Sequence, residues 1–408
     1  CRLSAAENTI KDATMDFSLN EEQTAWQMKA RKFAQEEIRP ISLARDAIAD
    51  PADTIDWELI KKGSKLGFRT AVVAKDQGGH GIDYVTQALV MAELAKADSA
   101  MSKTFSQCWK WSHLIAAACT DEQKERFLKP FLADDTFVLG SGQTEANSGS
   151  DTRRPPPGDL KAGVRLRAER DGDNWVLNGE KQFIAHGNIA KLFFLIVRTD
   201  FSVPFTEGTT MLLVPADTPG FSRGKVYNKS GWRFYQNGEM IFEDARVPVA
   251  NQIGETNGAL RKGDGDTSGD MFGDLELAAN ALGICDAACE AALEFARSHN
   301  SGGQPLSAQQ LVQLKIGRMF MLTEALRWFV MRVAWEHDQR IHSTNAGLAM
   351  NLSTDTVQEV AELSMDIHDG AGRPMERGVD KLVRDSFIWS HLAGDSVQRL
   401  KIAGRIVR

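Results

Sequence analysis

Apolar residues along this chain change period twice, and that double switch limits the architectures open to it. From Asn20 to about Leu132 they recur every three or four positions, as in Trp26, Ala30, Phe33 and Ala34, and again in Leu89, Met91, Ala92, Leu94 and Ala95. This is the spacing of amphipathic helices. After Thr136 the period falls to two, in Val164 to Ala168, Trp175 to Leu177, Phe193 to Val197 and Met211 to Val214, with Gly, Asp, Asn and Pro between the runs. These segments predict strands. From Asp270 the helical period returns, with long stretches at Leu275 to Arg297, Gln309 to His337 and Thr354 to His368.

The expected fold is therefore α+β: an N-terminal helical domain over residues 15–136, a middle β-barrel or sandwich over 137–254 and a C-terminal four-helix bundle over 255–408. A chain of 408 residues is long enough for several domains that share buried interfaces. Asn20 with Gln23 has the pattern of a helix-start capping box, and Gly78-Gly79-His80-Gly81 should break the chain between helices. Arg153 to Gly158, with three consecutive prolines, is expected as an exposed loop, and Glu255 to Gly269 as a linker. Residues 1–14, ahead of Met15, read as an extension or a flexible arm.

Charge and cysteine content narrow the partners. A net charge of −7 argues against nonspecific nucleic-acid binding, which needs a basic surface. No apolar run approaches the length of a membrane span. Cys1, Cys108, Cys119, Cys285 and Cys289 are scattered, without metal-ligand spacing. Reduced thiols in a cytoplasmic setting, with no metal, are the expectation.

Several ordered fragments carry more. Gln143-Thr144-Glu145-Ala146-Asn147-Ser148-Gly149-Ser150-Asp151 is followed by Asn178-Gly179-Glu180-Lys181-Gln182-Phe183-Ile184, then by Phe242-Glu243-Asp244-Ala245-Arg246-Val247-Pro248, Asp369-Gly370-Ala371-Gly372 and Arg384-Asp385. In this order, within a helix–strand–helix arrangement, they resemble acyl-CoA dehydrogenases over nearly the whole chain from Met15. The resemblance implies FAD held between the β-domain and the C-terminal bundle, with an acyl-CoA thioester beside the flavin ring. It also implies a homotetramer and an electron-transfer flavoprotein or similar electron acceptor.

Residue by residue, the resemblance places Gln143, Thr144, Phe183, Ala185, Arg297, Gln310, Gly370 and Asp395 at the cofactor, and Ser150, Trp109 and Gly394 at the substrate. Arg297 matches an arginine that binds the FAD pyrophosphate of a neighbouring subunit, a task suited to a bidentate guanidinium. Ala185 stands where relatives often carry a threonine against flavin N5, and an alanine side chain has no donor. Trp109 and Trp111 fall in the segment that lines the acyl pocket, where bulky indoles favour a short, branched or cyclic acyl group.

The proton-abstracting carboxylate is displaced. One family position for it reads Ala393, with Leu392 as the alternative match, and the second reads Gly273. Asp274, His391 and Asp395 stand beside these vacancies and are the candidates for a relocated base, which needs burial to raise its proton affinity. The expected activity is flavin-dependent α,β-dehydrogenation of an acyl-CoA thioester. The alternatives are family chemistry without α-proton abstraction, such as a desulfinase-like elimination or a flavin monooxygenation, and a catalytically silent flavin-binding subunit.

Overall fold

The computed structural model describes residues 18–152, 158–260, 271–341, 343–369, 378–392, 399–400, 402–404 and 407; the side chains of residues 150, 271, 272 and 391 also lie outside that description. The N-terminal helices are α1 (Glu21–Phe33), α2 (Arg39–Asp46), α3 (Trp57–Lys65), α4 (Tyr84–Ala97), α5 (Ser99–Ala118), α6 (Asp121–Gln123) and α7 (Lys129–Ala133). The predicted capping box is present: Gln23 N–H donates to Asn20 Oδ1 at 2.8 Å, and Asn20 N–H donates to Gln23 Oε1 at 3.0 Å. Gly78 and Gly81 take φ of +94° and +59°, the left-handed turn expected before α4.

The middle segment contributes β1 (Leu139–Gly142), β2 (Arg167–Asp171), β3 (Asn174–Ala185), β4 (Leu192–Arg198), β5 (Thr209–Pro215), β6 (Phe221–Val226), β7 (Asn237–Pro248) and β8 (Gln252–Ile253). They form one eight-stranded sheet in the order β6-β7-β3-β1-β4-β5-β8, with β2 pairing to both β3 and β4. The register between β3 and β7 slips between Lys181 and Ile184, a bulge that falls inside the predicted flavin segment.

The chain then returns to helix with α8 (Glu276–Ser298), α9 (Gln310–Asp338) and α10 (Asn345–His368), followed by the shorter α11 (Val379–Ser386) and α12 (Ile388–Leu392). Between α8 and α9 lies a hairpin of β9 (Asn300–Ser301) and β10 (Gln304–Pro305). A five-residue π-helical turn, Met271–Leu275, leads into α8.

Two close approaches fix how the helical and sheet regions meet. A Cβ on Gly283 of α8 would stand 2.5 Å from the Ala92 carbonyl oxygen of α4, so these helices pack backbone to backbone. Asp385 of α11 accepts from Trp232 N–H at 2.7 Å and from Ser99 Oγ at 3.1 Å, joining the sheet region, α5 and the C-terminal helices at one buried carboxylate. Trp389 continues the joint: its ring meets Trp232 edge-on at 5.1 Å, and its Nε1–H donates to Leu277 O at 3.0 Å.

Candidate active site

The loop after β1 is held from beneath by a buried ion pair. Lys181 of β3 is fully buried and donates to Glu145 Oε1 at 2.7 Å, to Ile196 O at 2.8 Å and to Gln143 O at 3.2 Å. Glu145 in turn accepts from Arg165 N–H at 2.7 Å and Leu166 N–H at 2.9 Å. The Gln143 carbonyl and the Arg165 and Leu166 amides are thereby satisfied. Burial pulls the Lys181 ammonium below its ordinary range, against the pull of Glu145.

Above that anchor, Gln182 N–H donates to Thr144 O at 2.9 Å, fastening the loop to β3. Thr144 is half-buried, and its hydroxyl donates to no described residue. The bulge sets Phe183 at φ +56°, a conformation rare for a bulky residue, and turns its ring outward, 49% exposed. There it stacks on Tyr227 at 3.9 Å, while Asn237 Nδ2 donates to Phe183 O at 2.7 Å. An open aromatic shelf beside an unused hydroxyl is what a flat, hydrogen-bonding ring system requires. The residues present therefore fit a flavin.

Ala185 pairs directly with Ser141 across β1 and β3. Opposed residues of an antiparallel pair share a face, so the hydroxyl next to Ala185 is that of Ser141. His186 follows, fully buried, with Nδ1 3.1 Å from Leu139 O and Nε2 without a hydrogen-bond partner among the described residues. Burial lowers its imidazole to about 4, so the ring is neutral at pH 7.

At the entry of α8, a Cβ on Gly273 would meet no described residue within 4 Å. Asp274 is buried and faces α10, with Oδ2 3.4 Å from the place a Gly347 Cβ would occupy. Glu276, the first residue of α8, turns toward α5, where it accepts from Lys103 Nζ and Ser106 Oγ. It lines a small cavity between α4, α5 and α8, together with Tyr84, Gln87, Met91 and Trp109. Trp109 is buried there, its Nε1–H donating to Phe68 O at 2.5 Å. Trp111 stacks on Phe194 at 4.6 Å instead.

The structure thus brings Gln143, Thr144, Phe183 and Ala185 together on the sheet, and sets Asp274 and Trp109 near the α8 entry. Arg297 and Gln310 are exposed and lie apart from that group: Arg297 ends α8 beside an open cleft shared with Glu290, Leu293, Glu294 and Ser298. Arg297 forms no ion pair with a described residue. The adjoining hairpin turns through Gly302 and Gly303, both at positive φ. Gly370, Ala393, Gly394 and Asp395 lie outside the described residues, as do the side chains of His391 and Ser150.

Sequence reasoning missed Glu276, Lys103 and Ser141. The three-residue step Lys103–Ser106 within α5 was an available signal for a polar patch on that helix. The Ser141 pairing depends on strand register, which no local pattern displays.

Comparison with known proteins matches the order of the helical, sheet and helical segments. Models of the N-terminal, middle and C-terminal domains of acyl-CoA dehydrogenase match residues 20–135, 140–245 and 272–407. The chain is 30% identical over 397 residues to the probable acyl-CoA dehydrogenase YngJ of Bacillus subtilis, covering 97% of this chain and all of that protein. It is also 30% identical to the short-chain specific acyl-CoA dehydrogenase of Clostridium acetobutylicum, covering 97% of this chain and all of the relative. Among solved structures, butyryl-CoA dehydrogenase from Megasphaera elsdenii superposes with a TM-score of 0.87 at 29% identity, over 97% of this chain and the whole of the other.

Proposed function

The chain belongs to the acyl-CoA dehydrogenase family of FAD-dependent oxidoreductases, and from that membership we propose that it oxidises a short acyl-CoA thioester between Cα and Cβ with a relocated base. The observation that carries this reading is the pairing of a flavin shelf, Thr144 with Phe183 and Tyr227, with a buried carboxylate, Asp274, one residue after the vacated position Gly273 at the entry of α8. When bound, FAD supplies an acceptor for the hydride that leaves Cβ. Thr144 and the Gln143 backbone orient the ring, and Phe183 stacks against it. Arg297 and Gln310, both exposed and Arg297 without an ion pair to a described residue, hold the pyrophosphate side from a neighbouring subunit.

The thioester makes the α-proton acidic, and Asp274, buried beside the vacated position, takes it as general base. Glu276 is the weaker candidate because one of its oxygens already accepts from both an ammonium and a hydroxyl. Trp109 limits acyl length, and the short-chain specificity named for the Clostridium relative is consistent with that limit.

A homotetramer is supported by α9, where Leu311, Leu314, Phe320, Met321 and Trp328 are 42–74% exposed. An electron-transfer flavoprotein is the acceptor we infer for the reduced cofactor. Among the described residues no helix is long and apolar enough to cross a membrane. The second reading, flavin chemistry without α-proton abstraction, is favoured by the absence of a carboxylate at Gly273 and Ala393. Anaerobic addition of short acyl-CoA thioesters separates the two. Loss of flavin colour with formation of the enoyl thioester supports dehydrogenation; retained colour across the series supports the second reading.

A further inference from the structure

One carboxylate oxygen beside the Asp274 turn, at the lining of a small cavity, receives no hydrogen bond from a described residue. Lys103 Nζ and Ser106 Oγ both donate to Glu276 Oε1, while Oε2 accepts no hydrogen bond from a described residue. The Glu276 residue is 8% exposed, and it lines a cavity of about 10 Å³ with Tyr84, Gln87, Met91, Ser106 and Trp109. That is close to the room a single water needs.

We propose that this cavity is the closed end of the acyl pocket, and that it takes the hydroxyl of a short hydroxyacyl thioester, donated to Glu276 Oε2. The proposal rests on the dehydrogenase reading above and names its substrate class. Three observations select the group. Lys103 already supplies the counter-charge, so the free oxygen lacks a hydrogen-bond donor rather than a second cation. The space admits one water-sized group, and Trp109, fixed through Phe68 O, walls off anything longer. A methyl in the same place would cover Oε2 and leave that acceptor unpaired, which is costly.

The test uses the FAD-loaded enzyme with two thioesters of equal heavy-atom count, pentanoyl-CoA and 4-hydroxybutyryl-CoA, which differ by CH₃ against OH. The expected result is a kcat/KM higher for the hydroxy ester by roughly tenfold or more, expressed mainly in KM. Glu276→Gln should lower kcat/KM for both and narrow the ratio severalfold. Equal or better use of pentanoyl-CoA by the wild type would overturn the proposal and leave the cavity as a water site only. A Glu276→Gln enzyme that binds both esters yet bleaches with neither would also overturn it, making Glu276 the base while the dehydrogenase reading stands. Failure of the wild type with both esters and with an unsubstituted acyl series would sink that reading itself.

Discussion

Lys103 and Glu276 form an ion pair between α5 and α8 in which both side chains are nearly withdrawn from water, at 12% and 8% exposure. Removing one member of such a pair strands the other charge. Lys103→Met should therefore cost about 3–5 kcal/mol of stability, read as an earlier midpoint in denaturant unfolding. The double variant Lys103→Met with Glu276→Gln should recover much of that loss. Equal destabilisation in the single and double variants would mean that the pairing itself contributes little.

Phe183 is the exposed member of the aromatic stack that we propose as the flavin shelf. Phe183→Ala should weaken FAD binding by roughly tenfold, the upper range for one ring contact. Flavin fluorescence titration of the apoprotein measures this directly. An unchanged Kd would remove Phe183 from the cofactor site.

His186 gives the fold an acid-sensitive point. Its folded value, about 4, lies below the ordinary 6.5, so between those limits the unfolded chain binds more protons than the folded one. The His186 contribution to stability is thus intact above pH 6.5 and falls away as pH drops toward 4, by on the order of 3 kcal/mol. Thermal midpoints of wild type and His186→Gln, followed from pH 7 to 4, should diverge in slope, with the variant flatter. Parallel slopes would show that other groups govern acid unfolding.

The exposed α9 face should bury itself between subunits. Leu314→Glu, at a position 70% exposed in the single chain, is expected to reduce the assembly to smaller species in sedimentation velocity. An unchanged sedimentation coefficient would place the subunit contact elsewhere.

Much of this architecture was legible because secondary structure follows periodicity. Trp26, Ala30 and Phe33 marked the buried face of α1, and Asn20 marked its start. The long C-terminal stretches likewise coincide with α8, α9 and α10. The site was less legible, because it depends on backbone conformation and register. Phe183 turns outward through a positive φ at a bulge, a conformation its own side chain disfavours and only the surrounding sheet enforces. Ser141 reaches the face of Ala185 because two distant strands align there. Likeness to relatives drew attention to Asp274, beside the vacated position, whereas the contacts of Glu276 with Lys103 and Ser106 depend on how α5 packs on α8.

The central claim is that a flavin dehydrogenase operates here with its base moved to the start of α8. Anaerobic single-turnover reduction of bound FAD by a short acyl-CoA thioester, compared between wild type and Asp274→Asn, tests it most directly. The account predicts bleaching with enoyl-CoA formation in the wild type, and a rate slowed by roughly 100-fold or more in a variant that still binds FAD and thioester. Bleaching at the wild-type rate in Asp274→Asn would contradict the assignment of the base. A wild type that stays yellow with every thioester would contradict the dehydrogenase itself.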